Sequence, residues 1–210
     1  GLLYYNDNQP EKALAAYKNV ISNYPGSEEA KVALQDLKSV YIDLNDINAY
    51  ANYVNSLGGN IRLEVSEQDS LTYIAAEKLF MRGDNDGAWR SLVNYLQTFP
   101  EGAFSSNANF YLGSITFAKK EFDEAIQRFK SVIASGDTKF LEESVARTAE
   151  IEYLGKDYPA ALESFKRLQV VAESPENKQA ARLGIMRCAL QTGQQKDALL
   201  AADELLKEPK

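Results

Sequence analysis

The sequence predicts an all-α fold of about six helical hairpins stacked side by side, and three observations carry that expectation. A small residue recurs at Ala13, Ala88, Ala125, Ala161 and Ala198, with Tyr50 where a sixth copy belongs, at intervals of 37, 38, 37, 36 and 37 residues. Four residues after each comes Tyr17, Val54, Leu92, Phe129, Phe165 or Ala202, and three further on Val20, Leu57, Tyr95, Val132, Leu168 or Leu205. That spacing marks one face of a helix. Between the paired helices stands Asn8, Asn45, Gly83, Lys120, Gly155 or Gly193, mostly residues that tolerate a left-handed backbone after a helix end. A period of this length means hairpins that bury their apolar faces against their neighbours.

In chain order, the first repeat holds the tail of one helix at 1–6 and a second helix from about 10 to 23. Pro10 costs that helix no internal hydrogen bond at its first position. Gly1 falls where the middle of a helix is expected, so the chain is expected to begin inside a repeat of something longer. Tyr24-Pro25-Gly26 ends the repeat and Ser27 caps the next helix, whose Ala30, Leu34, Leu37 and Tyr41 share a face. Asp46, Asp84, Asp123 and Asp157 are candidates to cap second helices. The pattern breaks at Gly58-Gly59-Asn60, after which Ile61, Leu63 and Val65 alternate with polar residues before Ser66 opens the next helix. The segment 58–66 reads as a longer connection whose apolar side tucks onto the array, the alternative being a partner-binding loop or a hinge. The chain is thus divided into repeats one and two at 1–57, a connector at 58–66, and repeats three to six at 67–210. Twelve helices are expected, the first of them truncated.

The net charge of −7 argues against nucleic acid, whose phosphates such a surface repels. Membrane insertion is not expected either, since no transmembrane run is present. The single cysteine, Cys188, excludes an internal disulfide and reads as a small core residue, and histidine is absent. That removes Ser-His-Asp and Cys-His nucleophilic pairs, and no catalytic, cofactor-binding or metal-ligating residue is assigned. Arg82-Gly83-Asp84-Asn85-Asp86-Gly87 invites a calcium reading, but with Asp84 as first ligand Trp89 stands where a glycine is needed and Tyr95 where a bidentate Glu is needed. Glu28-Glu29 and Glu142-Glu143 lie in first turns, where negative charge interacts favourably with the helix dipole.

Gly1, Tyr4, Ala13, Tyr17 and Pro25, then Leu79, Ala88, Leu92 and Pro100, then Leu112-Gly113, Ala125 and Phe129, with Ala161, Phe165 and Ala198 beyond, stand at a spacing that resembles the tetratricopeptide repeat (TPR) family. The resemblance implies a right-handed α-α superhelix, a TPR solenoid, acting as a non-catalytic scaffold that binds a partner polypeptide in its concave groove. In that family the groove is lined by the first helix of each pair. Carried over by register, it places Tyr73, Glu77, Phe80, Phe110, Ser114, Phe117, Ala146, Glu150, Tyr153, Leu183 and Arg187 on or near the groove. Phe80, Phe117 and Tyr153 read as packing between helices, which leaves Tyr73, Phe110 and Glu150 as the leading candidates. Aromatic anchors flanked by acids suit a protein or peptide with apolar and basic residues. The basic clamp of co-chaperone members is not evident, because Glu77 and Glu150 stand where cations are wanted. Repeats of about 37 residues ending in Tyr24-Pro25-Gly26-Ser27 or Phe99-Pro100-Glu101-Gly102 resemble a long-period subclass of bacterial envelope proteins, of the outer-membrane-assembly lipoprotein and Tol-Pal-associated coordinator type. This implies a segment of a larger periplasmic or outer-membrane-associated protein, with the cytoplasm left open. The alternative is a spacer or self-association module, including a homodimer through Leu2, Leu3 and Tyr4.

Overall fold

A computed structural model of the chain describes residues 1–59 and 61–207. It holds twelve helices among the described residues: α1 (Leu2–Asn6), α2 (Pro10–Asn23), α3 (Glu28–Asp43), α4 (Ile47–Ser56), α5 (Val65–Met81), α6 (Asn85–Thr98), α7 (Ser105–Ala118), α8 (Phe122–Ser135), α9 (Leu141–Leu154), α10 (Tyr158–Val171), α11 (Pro175–Gln191) and α12 (Gln195–Leu206). No described residue is in a strand. The chain forms two compact units, Gly1–Phe104 and Ser105–Lys210. Within each unit a helix packs on its hairpin partner and on the helix two further along, as α3 does on α5 and α9 on α11.

The small residues lie where neighbouring backbones approach: Ala13, Ala88, Ala125 and Ala161 are fully buried, and Ala198 nearly so. Around them the larger residues one turn on close the core, with Tyr17 and Val54 in the N-terminal unit and Phe129 and Phe165 in the C-terminal one. Each fully buried large side chain stabilises by roughly 1.5–3 kcal/mol. Tyr50 is buried in the place the other repeats give to Ala, tilted against Tyr41 at 6.0 Å, and burial followed by the charge of Glu67 pushes its phenol up to about 12.

The hairpin corners obey one rule. The left-handed residue is Asn8, Asn45, Gly83, Lys120, Lys156 or Gly193, always five residues before Ala13, Tyr50, Ala88, Ala125, Ala161 or Ala198. Gly155 was expected at the fifth corner but has φ −73, and Lys156 takes φ 62 instead. The period outweighs the identity of the residue, since moving the corner to the glycine would turn α10 out of phase with its neighbours. Each corner closes in the same way, as where the Lys156 N–H donates to the Tyr153 carbonyl and the Asp157 N–H to the Glu152 carbonyl. Asp46, Asp84 and Asp157 cap as expected, accepting from the amides of Ala49, Gly87 and Ala160, and Ser27 and Ser174 cap α3 and α11. Asp123 does not cap: Glu121 is at the N-cap and α8 starts at Phe122, two residues earlier than a cap at Asp123 would give, which moves Asp123 into its first turn.

In the 58–66 connector, Asn60 lies outside the described residues. Leu63 packs against the N-terminal core, and its N–H donates to Asn55 Oδ1 at 3.1 Å. Ile61 is 47% exposed, and Val65 is already the first residue of α5 rather than part of the connection. One apolar residue of the three is therefore tucked in.

Two carboxylates at the same place in the repeat, nineteen residues before Ala88 and Ala161, tie the start of one first helix to the loop that leads into the next. Asp69 accepts from the Tyr95 hydroxyl at 2.5 Å and from the Ala103 N–H at 2.9 Å. Glu142 accepts from the Ser174 hydroxyl at 2.6 Å, the Asn177 amide at 2.8 Å, and the Glu173 and Ser174 N–H groups at 3.0 and 3.1 Å. The Ser174 hydroxyl foremost, then Asn177 and the two backbone amides, hold the Glu142 carboxyl down at about 2 against the upward push of burial.

Candidate functional site

On α5 the structure places one of the three leading candidates in the core. Tyr73 is only 2% exposed, its ring stacked on Phe104 at 4.5 Å and edge-on to Tyr95 at 5.8 Å, with its hydroxyl donating to Glu77 Oε1 at 2.6 Å. A ring so placed is part of the buried core rather than of an open face. Glu77 remains partly exposed beside Ile74, Lys78 and Met81, which with Ser39 and Ile42 of α3 line a shallow depression of about 430 Å³. Sequence reasoning missed Ile74 and Met81, 40% and 64% exposed. The signal was there, because 74, 77, 78 and 81 share one helix face.

On α7, Phe110 is half-buried, stacked on Phe140 at 4.2 Å and edge-on to Phe129 at 6.1 Å. Most of its ring is thus engaged within the C-terminal unit. The Ser114 hydroxyl donates back to the Phe110 carbonyl at 2.9 Å. Phe117 packs beside Phe122 and lies under the Arg147 guanidinium, 4.8 Å from its centroid.

The remaining candidates come together. Ala146, Glu150 and Tyr153 of α9 face Leu183 and Arg187 of α11 across a cleft of about 260 Å³. Phe165 and Leu168 of α10 form its floor. Gly184 lets α11 come this close, since a Cβ there would meet the Phe165 ring at 2.4 Å. Ala146 and Ala180, small on facing helices, leave the space above the floor open.

The charges of the cleft are unevenly spent. Arg147 donates from Nε to Glu143 Oε1 at 2.8 Å and from Nη1 to Glu150 Oε2 at 2.9 Å while lying over Phe117. All three are partly exposed, so each pair is worth only a few tenths of a kcal/mol, about 0.3–0.5. Arg187 is exposed and forms no ion pair or hydrogen bond with any described residue. Cys188, one residue on, points the other way into the core, and burial pushes its thiol up. Among the described residues no group of three or more acidic or cysteine side chains is placed to hold a metal ion, and no helix is long and apolar enough to cross a membrane. What the arrangement offers is an apolar slot with a charged rim.

A tetratricopeptide repeat family model matches residues 1–27. No curated protein sequence matches the chain. Among solved structures, the chain is similar to BtubC (BKLC) from P. vanneervenii, at 10% identity over 95% of this chain and 88% of that one with a TM-score of 0.54. It is also similar to pilF of Pseudomonas aeruginosa, at 16% identity over 98% and 86% with a TM-score of 0.52. A Podosopora anserina kinesin light chain with nearly identical TPR-like repeats matches at 11% identity over 93% and 92%, TM-score 0.50. At these identities the likenesses speak for the fold: the chain is an all-α protein of the helical-hairpin repeat type.

Proposed function

We propose that this chain is a non-catalytic scaffold that holds a partner polypeptide, with the cleft between α9 and α11 as its contact site in the C-terminal unit. The observation that carries the proposal is the convergence of Ala146, Glu150 and Arg187 on one apolar slot of about 260 Å³ floored by Phe165 and Leu168. A slot of that size takes one large apolar side chain, the kind of buried anchor that dominates binding energy at interfaces. Glu143 and Glu150 each engage Arg147 through one carboxylate oxygen, which leaves the other to receive a basic residue of the partner. The repeat length extends the proposal to a segment of a larger bacterial envelope protein, in the periplasm or on the outer membrane, which fractionation of source cells tests.

The binding site is tested by selecting a phage-displayed random dodecapeptide library on the wild-type chain and on Ala146→Trp, which fills the slot. Matched circular dichroism establishes that both are folded. A motif enriched on the wild type and lost on Ala146→Trp supports the site; the same sequences on both place binding elsewhere. A second reading, self-association through α1, is favoured by the exposure of Leu2 and Leu3, 60% and 80%. It requires that Leu2→Ser with Leu3→Ser abolish a dimer seen by analytical ultracentrifugation.

A further inference from the structure

We infer that the polar cavity between α4, α5 and α6 in the N-terminal unit binds a small zwitterion, a free α-amino acid with a short polar side chain. Both charged groups of the cavity belong to the second helices of repeats two and three, not to the first-helix groove. The inference stands independently of the scaffold reading.

The cavity has a volume of about 270 Å³, and among the described residues Ile47 is the one apolar side chain in its lining. Its two charges are unspent. Arg90 is exposed on α6 and has no partner among the described residues. Asp46, at the head of α4, gives one carboxylate oxygen to the Ala49 N–H at 3.1 Å, which leaves Oδ2 open. A cation and an anion thus line one cavity without pairing with each other. Beside them the side-chain amide of Asn94 is without a partner, and Asn48 keeps Nδ2 open because it accepts from Gln68 through Oδ1 at 3.3 Å. The Thr72 hydroxyl donates to the Gln68 carbonyl at 2.7 Å and so has lone pairs to offer. Asn45 braces the walls, its Nδ2 donating to Ser91 Oγ at 2.6 Å and tying the left-handed corner to α6. The cation is particular to this repeat: two residues after the crossing residue the others have Ala15, Asn52, Gln127, Glu163 and Leu200.

A carboxylate meets the planar fork of a guanidinium in two parallel bonds, and an ammonium donates to a free carboxylate oxygen. A ligand with both charges answers Arg90 and Asp46 together, whereas one with a single charge meets repulsion from the other. Asn48, Thr72 and Asn94 then offer donors and acceptors to its side chain, which favours a short polar one over a large apolar one.

Nitrogen-15 NMR titration of the full chain with each of the twenty common amino acids, and with glucose, tests it. The expected result is a saturable shift of the Asn48, Thr72, Arg90 and Asn94 amides with a member of the Ser, Thr, Asn and Gln group. The same amino acid as its N-acetyl form, which lacks the ammonium, or as its carboxamide, which lacks the carboxylate, should bind at least tenfold more weakly. Asp46→Asn removes the charge but keeps a capping side chain, and Arg90→Gln changes an exposed residue, so both variants fold, as circular dichroism checks. Each should weaken binding at least tenfold. The inference is overturned by no shift at those amides up to about 10 mM of any amino acid, a range that reveals even millimolar affinity. A response to glucose alone, or equal affinity for the blocked forms or for both variants, overturns it as well. Tightest binding of a large apolar amino acid overturns the assignment of a polar side chain.

Discussion

Tyr73 and Ala146 stand fifteen residues before Ala88 and Ala161, so they hold the same place in the repeat, yet one belongs to a core and the other to an open slot. In the N-terminal unit the large ring is drawn inward beside Phe104 and Tyr95, and the exposed face of α5 carries Ile74 and Met81. In the C-terminal unit the methyl group of Ala146 leaves the space unfilled, and Phe165 and Leu168 become a floor. In this array an aromatic in that register turns inward where a second aromatic is within stacking reach.

The comparison is broken most severely at Tyr73. Tyr73→Ala should cost about 3–5 kcal/mol, the cost of deleting a large buried ring, and should be read as a lowered urea midpoint. A loss of under 1 kcal/mol would mean that the ring is not part of the core. Placing the same side chain in the other unit, Ala146→Tyr, should change stability by less than about 1 kcal/mol because the position is half-buried, while the peptide binding proposed for the cleft disappears.

The paired carboxylates sharpen the comparison next. Glu142 is held at about 2 in the folded chain, below its ordinary 4.5, so its contribution is fully present above about pH 4.5 and is lost as pH falls through 2. Allowing for solvent screening, Glu142→Gln should lose about 1–2 kcal/mol at pH 7 and progressively less towards pH 2. Denaturant midpoints of wild type and variant at pH 7, 4 and 2.5 measure it, and a difference independent of pH would remove the carboxylate charge from the explanation.

The corners show the smallest effect. The N-terminal unit turns on Asn8, Asn45 and Gly83, whereas the C-terminal unit puts Lys120 and Lys156 in the left-handed region at φ 63 and 62. A lysine there carries a steric cost that glycine lacks, so Lys120→Gly and Lys156→Gly should each raise stability by up to about 1 kcal/mol. Asn45→Gly should do less. A fall in melting temperature for either lysine variant would mean that its side chain supplies a contact outweighing the backbone strain.

The hairpins, the small residues at their crossings and most caps were legible because they depend on local spacing and short-range hydrogen bonding. Lys156 was legible too, five residues before Ala161, but glycine preference pointed to Gly155. The register puts Tyr73 and Phe110 on or near the groove but not their stacking on Phe104 and Phe140, which joins residues 31 and 30 positions apart, and no periodicity encodes which ring turns towards which. Ala146, Glu150 and Arg187 line one cleft because they keep one register across the fifth and sixth repeats. Its asymmetry of charge was not legible, since the sequence does not say which glutamates Arg147 takes.

The five-residue step from each left-handed corner to the following crossing residue works as a phase lock. The repeats vary from 36 to 38 residues, but none of that variation falls inside the step. One residue inserted there would rotate the second helix by about 100° and turn its apolar face away from its neighbours, given 3.6 residues per turn. The lineage of such a chain can therefore lengthen or shorten its connections, or gain and lose whole hairpins, without re-solving its core.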